Sequence, residues 1–365
     1  MRLLLITHSL ATGGTDRVAV HLANGFAQNF ETTLLTVRKP TPSTGLIEMV
    51  DPSVELISLD RNASSRAVDL VMGVVGLVRQ VRRLQPDLII ATGNNNSFFT
   101  MIGHLTNPRK FRQFAVKITN PVVRVKDRWF KRTFRSALYR LVLGRCSRIL
   151  VLSAGEGRNI ASLYPILADR IRVAQNPYVT PEMLAVGSQR ESSGPERGFL
   201  MIGRLHAQKN ISLLLEAWAI ARPPNARLRI AGDGPLLGDL IAQADRLGIA
   251  MVVDFLGYRT DVAALLGAAH CVVLSSDYEG LPAVVLEAFA ANCPVISTDC
   301  FPAAAELVGT APGCLMVPCR DAPALAAAIG EIAARPGSAD ARLQQLALPY
   351  AIDKAIANHR AALSL

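Results

Sequence analysis

At 365 residues the chain is long enough for two domains, each with its own core. Half of the residues are hydrophobic and 19% are charged, which argues against a disordered protein. The net charge of +10 is uneven: residues 1–180 hold 25 Lys/Arg against 11 Asp/Glu, whereas residues 181–365 hold 14 against 18.

The opening run MRLLLITHSL is short, broken by His8 and followed by Gly13-Gly14 without a small-residue cleavage site, so it reads as a first buried strand rather than a leader. No apolar run reaches ~18 residues, and no spanning helix is expected. Strands are predicted at Arg2–Thr7, Thr33–Val37, Val54–Ser58, Leu88–Ala91, Gln113–Ile118, Ile149–Leu152 and Ile171–Ala174. Helices are predicted between several of them, at Thr15–Gln28, Arg66–Leu84 and Lys126–Leu143. Further strands read at Gly198–Ile202, Leu228–Ala231, Val252–Phe255, Cys271–Leu274 and Val295–Ser297. A helical pattern spans Leu281–Ala291, and another runs through Pro349–Leu365. This alternation predicts an α/β protein of two doubly wound, Rossmann-like domains with a cleft at the carboxyl ends of their strands. The expected division is a first domain at 1–180, a polar linker at 181–197, a second domain at 198–348 and a helix at 349–365 that returns across the hinge.

From Arg109 to Arg148 there are 13 Lys/Arg and one acid, Asp127, interleaved with Trp129, Phe130, Phe134, Leu138, Tyr139 and Leu141. A basic amphipathic helix with aromatic residues fits an anionic membrane surface. Nucleic acid responds to the same field but is not the partner expected here. The plain alternative is a solvated helix with its apolar face in the core. The six cysteines show neither a C-x-x-C pair nor a Cys/His zinc spacing, and free thiols in a reducing cytoplasm are expected.

Chemistry concentrates at strand-to-helix junctions. In SSDYEGLPAVVLEAFAANCPVISTD, from Ser275 to Asp299, Glu279 and Glu287 lie eight residues apart. Glu279 and Gly280 fall in the turn, and Glu287 falls about two helical turns beyond. A Gly280-Leu281-Pro282 turn that opens a helix presents backbone N–H groups to a phosphate or sugar, and Pro282 suits the first helical turn. Taken alone, the same acids are a helix terminus decorated for its dipole. Gly203-Arg204-Leu205 follows another strand end, with Lys209 five residues beyond Arg204. Two such cations converging on one anion can neutralise a diphosphate leaving group without a metal. Gly232-Asp233-Gly234-Pro235 and Phe255-Leu256-Gly257-Tyr258 end two more strands. Gly257 and Tyr258 are candidates for lining a base pocket, and Asp261 is expected to cap the next helix. In the first half, Gly13-Gly14 precedes a helix and presents N–H groups to an anion. It is not the G-x-G-x-x-G fingerprint, which counts against NAD or FAD. His104 and His206 are isolated and read as structural or solvated.

GGTDRVAVHLA, GRLHAQKN, AGDGP, FLGYRTD and SSDYEGLPAVVLEAFAANCPVISTD stand in the order and spacing of the family-four retaining glycosyltransferases (glycosyl transferases group 1), which have the GT-B fold. The sequence resembles that family along essentially its whole length. The resemblance implies that Arg204 and Lys209 grip a nucleotide diphosphate, Glu287 binds ribose hydroxyls, and Glu279 with the Gly280–Leu281 backbone holds the donor sugar; Gly203 and Pro282 are further candidate substrate-binding residues. Gly14 would approach the diphosphate from the first domain. It further implies a nucleotide-sugar donor, a lipid-linked or cell-envelope glycan acceptor, retention of anomeric configuration, no metal or other cofactor, and a peripheral cytoplasmic location on the inner face of the cell membrane.

Two stretches depart from the family pattern. Where many members place a His facing the donor sugar, this chain has Asn120, which hydrogen-bonds but does not serve as an acid or base. Where relatives are glycine-rich before a Glu, it has Ala303-Ala304-Ala305-Glu306. Alternative expectations are a GT-B-like nucleotide-sugar epimerase and a non-catalytic nucleotide-sugar-binding subunit. A pyridoxal-dependent phosphorylase would need a Schiff-base Lys and a longer chain.

Overall fold

The computed structural model describes residues 1–10, 14–40, 45–60, 66–93, 96–98, 100–101, 113–118, 129–190, 197–336 and 340–365. The chain divides into two compact units, the first made of Met1–Pro177 and Ile352–Leu365, the second of Tyr178–Ala351.

The first unit carries seven parallel strands: β1 (Arg2–Thr7), β2 (Glu31–Thr36), β3 (Glu55–Ser58), β4 (Leu88–Thr92), β5 (Gln113–Lys117), β6 (Arg148–Val151) and β7 (Ile171–Val173). Their order in the sheet is β3-β2-β1-β4-β5-β6-β7. The central strands are apolar on both faces, as crossover helices on each side of a parallel sheet require; Leu3–Ile6 and Leu88–Ala91 are buried throughout. The helices are α1 (Gly14–Ala27), α2 (Arg66–Leu84), α3 (Trp129–Leu143) and α4 (Ala154–Leu163). Ser153 caps α4 by accepting the Glu156 N–H.

The second unit repeats the plan with six parallel strands: β8 (Arg197–Ile202), β9 (Ala226–Ala231), β10 (Val253–Gly257), β11 (Cys271–Leu274), β12 (Val295–Thr298) and β13 (Leu315–Val317), ordered β10-β9-β8-β11-β12-β13. Its helices are α5 (Pro181–Ser188), α6 (Ile211–Ala221), α7 (Leu237–Arg246), α8 (Val262–Ala268), α9 (Ala283–Ala290), α10 (Ala304–Leu307), α11 (Ala322–Ala334) and α12 (Ala341–Ala347). Trp218 of α6 is buried edge-on against Phe199 of β8, with ring centroids 5.2 Å apart, and anchors the core on that face. The helix α13 (Ile352–Leu363) follows and belongs to the first unit.

Two features differ from the sequence reading. The stretch expected as a linker from 181 contains α5, capped by Thr180 and packed into the second unit. Gly187 lies so near α9 that an added Cβ would sit 2.2 Å from the Ala290 carbonyl oxygen; a residue suggestive of a flexible connector serves close helix packing instead. The terminal helical pattern, expected from Pro349, is split. Leu348–Tyr350 form a 3-10 turn of the second unit, and the α-helix starts at Ile352. At the crossing points Val179 bridges to Ala351, and the rings of Tyr178 and Tyr350 stack with centroids 6.4 Å apart. Among the described residues no helix is long and apolar enough to cross a membrane, and all six cysteines are free.

Candidate active site

In each sheet the strand order reverses once, between β1 and β4 in the first and between β8 and β11 in the second. Loops leaving the carboxyl ends of strands at such a switch point diverge to opposite faces and leave a crevice. In the second unit those two loops carry Gly203–Lys209 and Ser275–Pro282.

The loop after β8 is laced to its neighbours. Gly203 N–H donates to the Ala231 carbonyl at 3.0 Å, Leu205 N–H to the Asp233 carbonyl at 2.9 Å, and Gly232 N–H to the Gly257 carbonyl at 2.7 Å. Gly232, at φ +149°, comes so close that a Cβ there would stand 1.9 Å from the Gly203 carbonyl oxygen. The strand ends that hold Gly203, Gly232 and Gly257 thus form one rigid rim, with Tyr258 beside it, 38% exposed. Ala207–Lys209 make a single 3-10 turn, and Asn210, in the left-handed region at φ 44°, redirects the chain into α6.

Lys209 Nζ lies 2.7 Å from Glu279 Oε1, with side chains 19% and 13% exposed. The same carboxylate oxygen accepts the Ser276 hydroxyl at 2.9 Å, and Oε2 accepts Gln208 Nε2 at 3.4 Å. Glu279 N–H donates to the Cys300 carbonyl at 2.7 Å, so the residue is tied through its backbone to the end of β12 as well. Behind it Asp277 takes a bidentate pair of bonds from Arg320 (3.1 and 2.6 Å) and one from Asn210 Nδ2 at 3.0 Å. Two anionic side chains are thereby matched to two cations; the Lys209–Glu279 pair is largely shielded from solvent, where an ion pair weakens less with salt than at the surface. Among the described residues, the N–H groups of Gly280 and Leu281 have no hydrogen-bond acceptor, and they face a turn before α9. Glu287, on α9, is 5% exposed.

The structure brings Lys209, Glu279 and the Gly280–Leu281 backbone together. Arg204 is exposed on the same loop as Lys209, and its carbonyl accepts the His206 N–H at 2.8 Å. Lys209 pairs with Glu279 rather than standing free beside Arg204. Pro282 occupies the N-cap of α9 (φ −72°, ψ 115°) rather than its first turn; the helix begins at Ala283, and the missing N–H costs nothing at either place. Asp261 sits at the N-cap of α8 but makes no capping bond, because Arg259 takes its carboxylate in a bidentate pair and holds it below the usual carboxylate range. His206 accepts a long 3.5 Å bond from Gln208 N–H. Ser276, Gln208 and the Asp277–Arg320 pair were not singled out in the sequence. The adjacency of Ser276 to Asp277-Tyr278-Glu279 was the one available signal.

In the first unit Gly14 is the first residue of α1 at the carboxyl end of β1, and an added Cβ would meet nothing within 4 Å. Gly13, Asn120, His104 and much of the basic stretch 109–148 lie outside the described residues. Within that stretch Arg140, Leu141 and Arg145 are exposed. No group of three His, Cys, Asp or Glu side chains fit to hold a metal occurs among the described residues.

Comparison with known proteins bears on the same loops. The family model described as glycosyl transferases group 1 matches residues 196–335, and a glycosyl transferase 4-like domain matches residues 13–177. The chain belongs to the group 1 glycosyltransferases and has their GT-B architecture. A crystal structure of Anabaena HepE in complex with UDP and glucose matches with a TM-score of 0.79 at 19% identity, covering 100% of this chain and 99% of that one. A Campylobacter jejuni relative, an α-1,4-N-acetyl-D-galactosaminyltransferase acting on an undecaprenol-diphosphate-linked glycan, is 26% identical over 89% of this chain and 87% of its own length. An uncharacterised glycosyltransferase of Methanocaldococcus jannaschii is 27% identical over 61% of this chain, an alignment spanning 58% of that relative.

Proposed function

We propose that this glycosyltransferase moves a hexose-type sugar from a nucleotide-diphosphate donor to a lipid-linked or polysaccharide acceptor of the cell envelope, with retention at the anomeric carbon and without a metal ion. The observation that carries the reading is the Lys209–Glu279 pair at the switch point of the second sheet, beside two part-exposed backbone N–H groups that no described protein acceptor takes. Support for the donor and acceptor classes comes from the UDP and glucose in HepE and from the undecaprenol-linked glycan of the Campylobacter relative.

The chemistry follows from charge. As the anomeric C–O bond breaks, positive charge grows on the sugar and negative charge on the departing diphosphate. Lys209 and Arg204 stabilise that growing negative charge more in the transition state than in the ground state. The Gly280 and Leu281 N–H groups add uncharged donors for phosphate or sugar oxygens. Glu279 accepts sugar hydroxyls, which fixes the ring; Glu287 serves the ribose, and Gly257 with Tyr258 borders the base. The acceptor hydroxyl attacks from the face that the diphosphate leaves, and a phosphate oxygen takes its proton. Asn120 takes the place of the family's histidine as a hydrogen-bonding contact only. The basic stretch 109–148 supplies attraction to anionic lipid headgroups, placing the enzyme where a lipid-linked acceptor lies.

The test is a thermal-shift screen with UDP, GDP, ADP and their sugars, followed by a transfer assay with polyprenyl-diphosphate-linked acceptors in the presence of a chelator. Ligand linkage raises the melting temperature for the matching nucleotide. The product anomer, read by NMR, keeps the donor's configuration. Conversion of the donor without any acceptor would point instead to an epimerase.

A further inference from the structure

β11 ends at Leu274, and the next two residues, Ser275 and Ser276, are 1% and 0% exposed. Their hydroxyls serve the two partners of the ion pair separately. Ser275 Oγ donates to the Lys209 carbonyl at 2.9 Å, gripping the backbone that carries the cation. Ser276 Oγ donates to Glu279 Oε1 at 2.9 Å, gripping the carboxylate itself. The Ser276 backbone is fixed from behind, because Thr298 Oγ1, at the end of β12, donates to its carbonyl at 2.7 Å. A buried hydroxyl leads into this network at each step, and small side chains let the loops approach.

We propose that Ser275 and Ser276 are positioning residues with divided roles: Ser275 sets where the Lys209 cation meets the diphosphate, and Ser276 orients the Glu279 carboxylate against the sugar. The inference rests on the placement of Lys209 and Glu279 in the donor site. A carboxylate oxygen held by two donors has a defined lone-pair direction. When Lys209 also faces a diphosphate, its hold on Glu279 is shared, and the Ser276 hydroxyl keeps the acid in place. The bond from Ser275 acts on the main chain, so its loss displaces Lys209 without touching Glu279.

The two roles separate in kinetics. Ser276→Ala is expected to lower kcat about tenfold with donor KM within about twofold, since a hydrogen bond to a charged group is lost where the transition state needs it. Ser276→Thr, which keeps the hydroxyl, restores kcat. Ser275→Ala raises the donor KM and the Kd of the matching nucleoside diphosphate several-fold and leaves kcat within about twofold. Melting temperatures of all variants control for folding. If the two alanine variants change the same parameter, or the kcat of Ser276→Ala stays at the wild-type value, the divided roles are wrong. Glu279→Gln and Lys209→Ala run alongside: full turnover in those two would remove the site assignment itself, whereas inactive controls with wild-type serine variants would remove only this inference.

Discussion

Lys117 Nζ lies 2.7 Å from His359 Nε2, and both side chains are fully buried. Lys117, the last residue of β5, also donates to the Ala174 carbonyl at 3.0 Å. His359, on α13, has Nδ1 2.8 Å from the Ala355 carbonyl, so Nδ1–H donates there and Nε2 faces the lysine as acceptor. Burial lowers the Lys117 pKa to about 7, partly opposed by Glu156 from α4; burial and Lys117 hold His359 well below its ordinary value. Burial raises the Glu156 carboxyl, against the Leu152 N–H and Lys117.

The sign of the pH dependence follows. Between about 7 and 10.5 the unfolded chain binds more protons at Lys117 than the folded one, so stability rises with pH across that window. Below 6.5 the unfolded chain binds more at His359, so stability falls as acid is added. Glu156 acts oppositely just above 4.5, where the folded state holds the extra proton. Lys117→Met is expected to flatten the rise of melting temperature above neutrality, a difference of about 3 °C between the two profiles. Parallel profiles for wild type and variant would show that the lysine does not titrate in this window.

Lys209→Ala and Glu287→Gln are expected to lower transfer about a hundredfold or more, in line with loss of a charged transition-state or donor contact. Initial rates at saturating acceptor measure this, and circular dichroism confirms that the fold is retained.

Gly232→Ala is expected to destabilise the second unit by about 2 kcal/mol or more, combining positive-φ strain with a clash against backbone. The Cβ would lie 1.9 Å from the Gly203 carbonyl oxygen, which no side-chain rotation relieves. Denaturant melts give the change directly, and an unchanged midpoint would contradict it.

Arg320→Ala removes the bidentate bonds to Asp277 but takes away an arginine whose side chain is 65% exposed. Stability is expected to change by less than about 1 kcal/mol. The loop that carries Glu279 loses a brace, and kcat falls several-fold. Comparing the melt with the rate separates the two effects.

The strands were largely legible because buried parallel strands are near-continuous apolar runs; Arg2–Thr7 and Cys271–Leu274 match to the residue. β13 escaped notice, a three-residue strand set between Cys314 and Pro318. The positions of Lys209 and Glu279 on strand-to-helix loops followed from Gly, Pro and charge at strand ends. Their direct pairing did not, since it joins residues 70 apart through sheet order rather than sequence. The same holds for Arg320 and Asp277, 43 apart. Gly187 and its small, polar surroundings suggested a tether because composition cannot distinguish a glycine needed for freedom from one needed for contact.

Because α13 folds onto the first unit, with Ile356 against Gly25 and Arg360 donating to Asn29 Oδ1, the second unit is threaded between two pieces of the first. The seven-stranded sheet therefore precedes in the chain the residues that cover one flank of its unit, and a chain cut back to before Ile352 is expected to leave the surface around Gly25 and Asn29 bare.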